Sequence, residues 1–201
     1  MQRTKLRLPF DGEWFVNWGG DSKRLNHHHG IKAQNFAFDF VMAEGDKTYK
    51  GDGTKNYDYF CFGRPILAPA AGEVVEAVDG IRDNKPKDTN DYFYPGNYIL
   101  IKHAQDEFSF LAHLQKHTLT VKEGDIVEAG QKIGLCGNSG NSSEPHLHYH
   151  LQDSFIFARF DKAYQRQEIA KGIKVTFDNV LVNGIAKKSY SPVRGDRVKP
   201  L

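Results

Sequence analysis

The chain has 201 residues, 39% hydrophobic and 26% charged, with a formal net charge of +2. That length suits one domain, or one domain with an appendage, and supports a sizeable core. The mild charge argues against a dedicated nucleic-acid binder, and no apolar run is long enough to span a bilayer as a helix.

Met1 to Pro9 carries basic residues but no apolar core of a leader peptide. Glu13 to Gly20 reads as a short strand closed by a turn, and Asp21 to Gln34 as a polar loop holding Asn26-His-His-His-Gly30. Asn35 to Met42 reads as a strand. Phe36, Phe38 and Phe40 share one face; Ala37, Asp39 and Val41 share the other. Glu44 to Tyr59 is rich in Gly, Asp and Lys and is expected to be an exposed loop. Strand signals follow at Arg64–Pro69, Gly72–Val78, Asn97–Lys102 and Phe108–Leu114, with a polar loop from Gly80 to Gly96. Val121 to Gly134 alternates glycine turns with short apolar pieces. Beyond Asp153 the pattern changes: Ala158 to Gly172 is expected to form one short helix, Lys174–Phe177 and Val180–Val182 to form strands, and the rest to be basic and loop-like. Many short strands with glycine turns indicate an all-β sandwich or barrel. Cys61 and Cys136 are too few for a disulfide framework and are expected to be two small semi-buried side chains, although a single bridge between them is possible.

The most informative stretch is Gly137-Asn-Ser-Gly-Asn-Ser-Ser-Glu-Pro-His-Leu-His-Tyr-His-Leu-Gln152. From Pro145 it alternates, placing His146, His148 and His150 on one side and Leu147, Tyr149 and Leu151 on the other. Successive strand side chains point to opposite faces, so this reads as a half-buried strand with an imidazole face. Residues two apart sit about 7 Å apart along a strand, close enough for one imidazole to hold a metal while its neighbour moves a proton. A His-X-His pair alone is weak evidence for a metal. Asp39, His113 and the Asn26–His29 loop supply further candidates, though each taken singly is better explained as a satisfied polar group. Together they offer the parts of a catalytic zinc site: N and O ligands, an open position for water and spare imidazoles as bases.

These residues resemble the M23 peptidases, the lysostaphin-type or LytM zinc endopeptidases of bacterial cell walls. The resemblance runs from about Gly63 to Gln152. It rests on Phe62-Gly-Arg-Pro-Ile-Leu-Ala-Pro-Ala-Ala-Gly-Glu-Val-Val75, on Gly96 to His103, on Leu111-Ala-His-Leu114, and on Gly137-Asn-Ser-Gly140 with Pro145-His-Leu-His-Tyr149. It implies an antiparallel β-sandwich, like a duplicated hybrid motif, with a groove over one sheet walled by the Glu44–Tyr59 and Gly80–Gly96 loops. It implies a metallopeptidase domain over residues 1–153, with residues 154–201 as an extension packed on it. By resemblance His148 is a zinc ligand, Asp39 the acidic ligand, and His146 and His113 the catalytic imidazoles. The chain departs from the family's H-x-G-x-D: Asn35 stands where His is usual, and Ala37 where Gly is. A variant arrangement with N-x-H in a loop assigns the missing ligand to His28, with His27 and His29 as rivals.

The implied function is zinc-dependent hydrolysis of peptide bonds in peptidoglycan, outside the cytoplasm, by a monomer with no nucleic-acid partner and no membrane span. Two alternatives are a degenerate M23 domain that binds wall or activates a partner hydrolase, and a lipoyl-like carrier suggested by Val121–Ile133. The histidines argue against the second.

Overall fold

A computed structural model describes residues 1–155 and 170–201. Its strands are β1 (Trp14–Trp18), β2 (Phe38–Val41), β3 (Pro65–Leu67), β4 (Gly72–Val78), β5 (Asn97–Ala104), β6 (Glu107–Leu114), β7 (Ile126–Val127), β8 (Lys132–Leu135), β9 (Leu147–Gln152), β10 (Gly172–Ile173), β11 (Phe177–Val182), β12 (Ile185–Tyr190) and β13 (Arg197–Pro200). The only helical element among the described residues is a 3-10 turn at Asn56–Asp58. The chain is all-β, as the pattern of short strands and turns requires.

The large sheet runs β12-β11-β13-β1-β2-β9-β6-β5-β4-β7, with β10 on the end of β9, and every strand pairing in it is antiparallel. The small sheet pairs β3 with β8. Ile66 of β3 and Ile133 of β8 share one continuous core with Ile99, Ile101, Leu111, Leu147, Tyr149 and Leu151 of the large sheet and with Phe38 and Phe40 of β2. Each such side chain, fully buried, contributes about 1.5–3 kcal/mol of transfer free energy. The other face of the central strands holds Leu100, Phe108, Phe110 and Ala112, and the histidines of β9 project there.

Two expectations change. The second strand begins at Phe38, and Asn35 lies in the preceding turn, where its Oδ1 accepts the Gly30 N–H at 2.8 Å. The tail beyond Val182 is not loop-like: β12 pairs with β11, and β13 lies between β11 and β1. The helix expected over Ala158–Gly172 lies largely outside the described residues, and Gly172 opens β10. Cys61 and Cys136 are both free and buried; the Cys61 thiol donates to the Pro145 carbonyl at 3.0 Å.

Two glycines fix how the loops meet the sheet. Gly96 and Gly140 both have positive φ, and a methyl on either would drive into the other segment's backbone. This close approach lets Asn141 N–H reach Tyr94 O at 2.9 Å and Asn90 N–H reach Gly140 O at 2.9 Å, tying the Gly80–Gly96 loop to the Gly137–Gly140 turn. Gly140→Ala therefore meets both a left-handed backbone and a filled space, and we expect it to lower stability by at least about 1–3 kcal/mol. Chemical denaturation measures this; an unchanged midpoint would show that the two segments separate freely.

Candidate metal and catalytic site

The site is assembled by strand register. Asp39 on β2 and Ala112 on β6 both stand opposite His148 on β9. Opposed residues of an antiparallel pair project to the same face. Asp39 and His148 therefore meet side by side on that face, with the short side chain of Ala112 on the other flank of His148.

Asp39 is 4% exposed and is ringed by imidazoles. Its Oδ1 lies 2.9 Å from His148 Nδ1 and 3.7 Å from His146 Nε2. Its Oδ2 lies 2.9 Å from His28 Nε2 and 3.1 Å from His27 Nε2. Burial pushes this carboxyl up, but the surrounding imidazoles, His28 and His146 first, outweigh it and hold the group well below the usual carboxylate range. Burial drives His148 the other way, down to about 3, despite the Asp39 carboxylate beside it.

Asn26 sets the histidine loop. It is fully buried; its amide donates to Gly20 O and Ala37 O, both at 3.0 Å, and its Oδ1 accepts the His28 N–H at 3.1 Å. Every polar valence of that side chain but one acceptor lone pair is thus used to pin His28 beside the start of β2. His27 also reaches Asp39, but its side chain is 50% exposed against 11% for His28. It stacks on Trp18 at 4.7 Å, and Arg194 covers the same indole at 4.0 Å. Among the described residues His29 is not one of the imidazoles placed against Asp39.

His113 and His146 stand beside this cluster, with ring centroids 4.7 Å apart. Strict alternation along β6 would turn His113 toward the core, with Ser109 and Leu111. Instead the β5–β6 register shifts between Asn97 and Ile99, and His113 takes φ 62°. One extra residue on β6, a bulge, re-aims its ring. His113 Nδ1 donates to Ser139 O at 2.8 Å, and His146 Nδ1 to Glu144 O at 2.9 Å. A neutral imidazole with Nδ1–H committed keeps its lone pair on Nε2. Burial holds His113 well below the usual histidine range, so it stays unprotonated.

A zinc ion fits these donors. His27 Nε2 and His28 Nε2 are 2.8 Å from each other, and both crowd the same Asp39 oxygen. Protons satisfy such a triangle poorly, whereas a cation accepts all three donors at once. His27, His28 and Asp39 place their ligand atoms within 4.8 Å of one another, and His148 brings Nδ1 to the same carboxylate. Two imidazole nitrogens with a carboxylate oxygen are a donor set zinc takes in catalytic sites, with a fourth position left for water.

The Peptidase family M23 model matches residues 53–159, and the chain belongs to that family. The match includes His113, His146 and His148 but begins after Asp39 and the histidine loop. The chain is 30% identical over 151 residues to peptidoglycan DD-endopeptidase ShyA of Vibrio cholerae, an alignment covering 75% of the chain and 28% of ShyA. It is 38% identical over 90 residues to the murein hydrolase activator NlpD of Escherichia coli, covering 45% of the chain and 20% of NlpD. The chain thus spans less than a third of either relative. Among solved structures it is similar to a zinc-containing peptidase from Vibrio cholerae, at 25% identity and a TM-score of 0.46 over 74% of this chain and 36% of that one.

The buried imidazoles make stability pH-dependent. His148 and His150 titrate in the folded chain near 3 and 4, against about 6.5 when unfolded. The unfolded chain therefore binds more protons below pH 6.5, and stability falls as pH drops from about 6.5 toward 4. Thermal melts of metal-free protein at pH 7, 6 and 5 should show a falling midpoint, and His150→Leu should flatten the slope. A midpoint that rises over that range would contradict the burial of neutral imidazoles.

Proposed function

We propose that this chain is a zinc metalloendopeptidase that hydrolyses peptide bonds in bacterial peptidoglycan, with His28, Asp39 and His148 as ligands and His113 and His146 as the catalytic imidazoles. One observation carries the reading. The imidazoles fall into two sets around one carboxylate: His28 and His148 each point a ring nitrogen at Asp39 at 2.9 Å, while His113 and His146 commit Nδ1 to backbone carbonyls and keep Nε2 for protons. His28 is taken over His27 because it is buried and its backbone is pinned by Asn26.

Zinc, when bound, supplies Lewis acidity: it lowers the pKa of water toward 7 and polarises a carbonyl. The chain's own residues do the rest. Asp39 gives the site its negative charge and orients His28 and His148. His146 Nε2, at the edge of the cluster, accepts a proton from water as the oxygen attacks the scissile carbonyl. That proton, held on His146 Nε2, hydrogen-bonds the developing oxyanion and is then transferred to the leaving amine, with His113 beside it orienting the pair. Positioned proton transfer of this kind contributes about 10²–10⁴-fold to rate. Action on the wall places the protein outside the cytoplasm, and its mild positive charge suits an anionic polymer.

The relative NlpD is an activator by name, so a second reading is a domain that stimulates a partner hydrolase. Retention of His113, His146 and His148 in a built arrangement favours hydrolysis by the chain itself.

Zinc titration and turnover of purified peptidoglycan test the assignment together. His148→Ala should lose zinc and activity. His146→Ala should keep zinc and lose about 10²-fold or more in rate. His28→Ala should weaken zinc by orders of magnitude, and Asn35→Ala should leave it in place. Equal zinc loss from His146→Ala and His148→Ala would overturn the division of roles, and zinc-loaded wild type without hydrolysis would favour the activator.

A further inference from the structure

His150 is the third histidine of β9 and has no part in the ligand set or the proton-moving pair. It is 1% exposed, and Phe110 packs on its ring at 4.9 Å. Its two nitrogens are both occupied: Nδ1 faces His148 Nε2 at 2.9 Å, and Nε2 faces Gln152 Oε1 at 2.8 Å. Strand spacing makes this row possible, because residues 148, 150 and 152 project to one face of β9.

The direction of the row is fixed from its far end. The Gln152 amide donates Nε2–H to Ser154 O at 2.7 Å, so its oxygen is the atom turned to His150. An amide oxygen only accepts, so the proton of this bond sits on His150 Nε2. A buried imidazole without a carboxylate partner stays neutral, which leaves His150 Nδ1 bare. A bare nitrogen needs a donor, so His148 carries its proton on Nε2. The lone pair of His148 is then on Nδ1, the atom 2.9 Å from Asp39 Oδ1.

We propose that Gln152 and His150 are positioning residues that lock His148 in the Nε2–H form and so present its Nδ1 lone pair to a metal held with Asp39. The inference rests on the zinc reading above and adds residues that the ligand assignment alone does not require. Hydrogen bonding of a ligand imidazole's far nitrogen fixes its tautomer and raises its basicity, and loss of such a partner typically costs about 10–100-fold in metal affinity.

Two measurements test it. In the full chain, nitrogen-15 NMR of the imidazoles reads the tautomer of His150 with or without metal. Nε2–H is expected, and Nδ1–H overturns the relay. Zinc affinity by chelator competition is then compared across variants, with metal-free melting temperatures as a check on folding. His150→Leu removes the acceptor and should weaken zinc about 10–100-fold. His150→Asn, whose Oδ1 takes the place of Nδ1, should stay within about 3-fold of wild type by the same reasoning. Equal losses in the two variants would reduce His150 to a packing residue, and an unchanged His150→Leu would remove the relay altogether. A wild type that binds no zinc would sink the proposed function, while the tautomer would still decide the relay.

Discussion

The arrangement depends on one buried carboxylate. Asp39 sits at 4% exposure on β2, between strands whose other faces feed the main core. An ionised carboxylate taken out of water is expensive unless it is paired and hydrogen-bonded. The chain surrounds it with imidazoles, which offer one charge-neutral donor or one lone pair each according to tautomer. Four of them approach within 3.7 Å, and two, His27 and His28, turn Nε2 both to the same oxygen and to each other, an arrangement that protons satisfy poorly. A divalent cation resolves that conflict, because it converts facing lone pairs from repulsion into coordination. Much of the local architecture serves that carboxylate: the Asn26 clamp and the Asp39–His148 register.

The surrounding loops work by close backbone approach. The motif Gly137-Asn-Ser-Gly140 is informative because each of its residues has a separate task. Gly137 and Gly140 admit the backbone at Gln115 and Gly96 with no side chain between. Asn138 donates to Asn56 and accepts from Ser142, linking the Glu44–Tyr59 region to the turn before His146. Ser139 accepts the Asn97 N–H through its hydroxyl and the His113 ring through its carbonyl. The turn therefore orients His113 directly and His146 through Ser142, whose hydroxyl lies 3.1 Å from His146 Nδ1. The two loops expected to wall a groove are held by the same segment that aims His113 and His146.

The β9 pattern was legible because strand alternation is strict there: Leu147, Tyr149 and Leu151 enter the core, and His148 and His150 face the other way. His113 was legible by motif and misleading by parity. Alternation from Leu111 sends it into the core, and only a bulge with positive φ brings it to the site, a feature that leaves no periodic trace. The histidine loop gave its residue types but not its geometry. What separates His28 from its neighbours is Asn26, whose amide bridges Gly20 and Ala37 across the loop. The C-terminal strands were missed for another reason. β12 is exposed along nearly its whole length, so its sequence lacks the apolar alternation that a half-buried strand shows. β13 carries a single buried apolar residue, Val198, between basic neighbours.

The same side chain meets three kinds of partner within one strand and its lead-in, and the proposed division of roles follows what each Nδ1 touches. His146 Nδ1 meets the Glu144 carbonyl, so its proton is spent there and Nε2 is left to exchange protons. His148 Nδ1 meets the Asp39 carboxylate, and its far nitrogen is occupied by His150, so in the proposed assignment it gives a lone pair and moves no proton. His150 Nδ1 meets His148 itself, and its own far nitrogen is held by Gln152, so it neither coordinates nor exchanges. Residue type and spacing alone would treat the three as equivalent. In the proposed assignment their roles diverge because the partners differ in kind: a carbonyl accepts a proton bond, a carboxylate would hold a cation, and an imidazole passes a preference along the row. A strand that put the three histidines on the same face without Glu144, Asp39 and Gln152 in these places would present a polar surface and no division of labour.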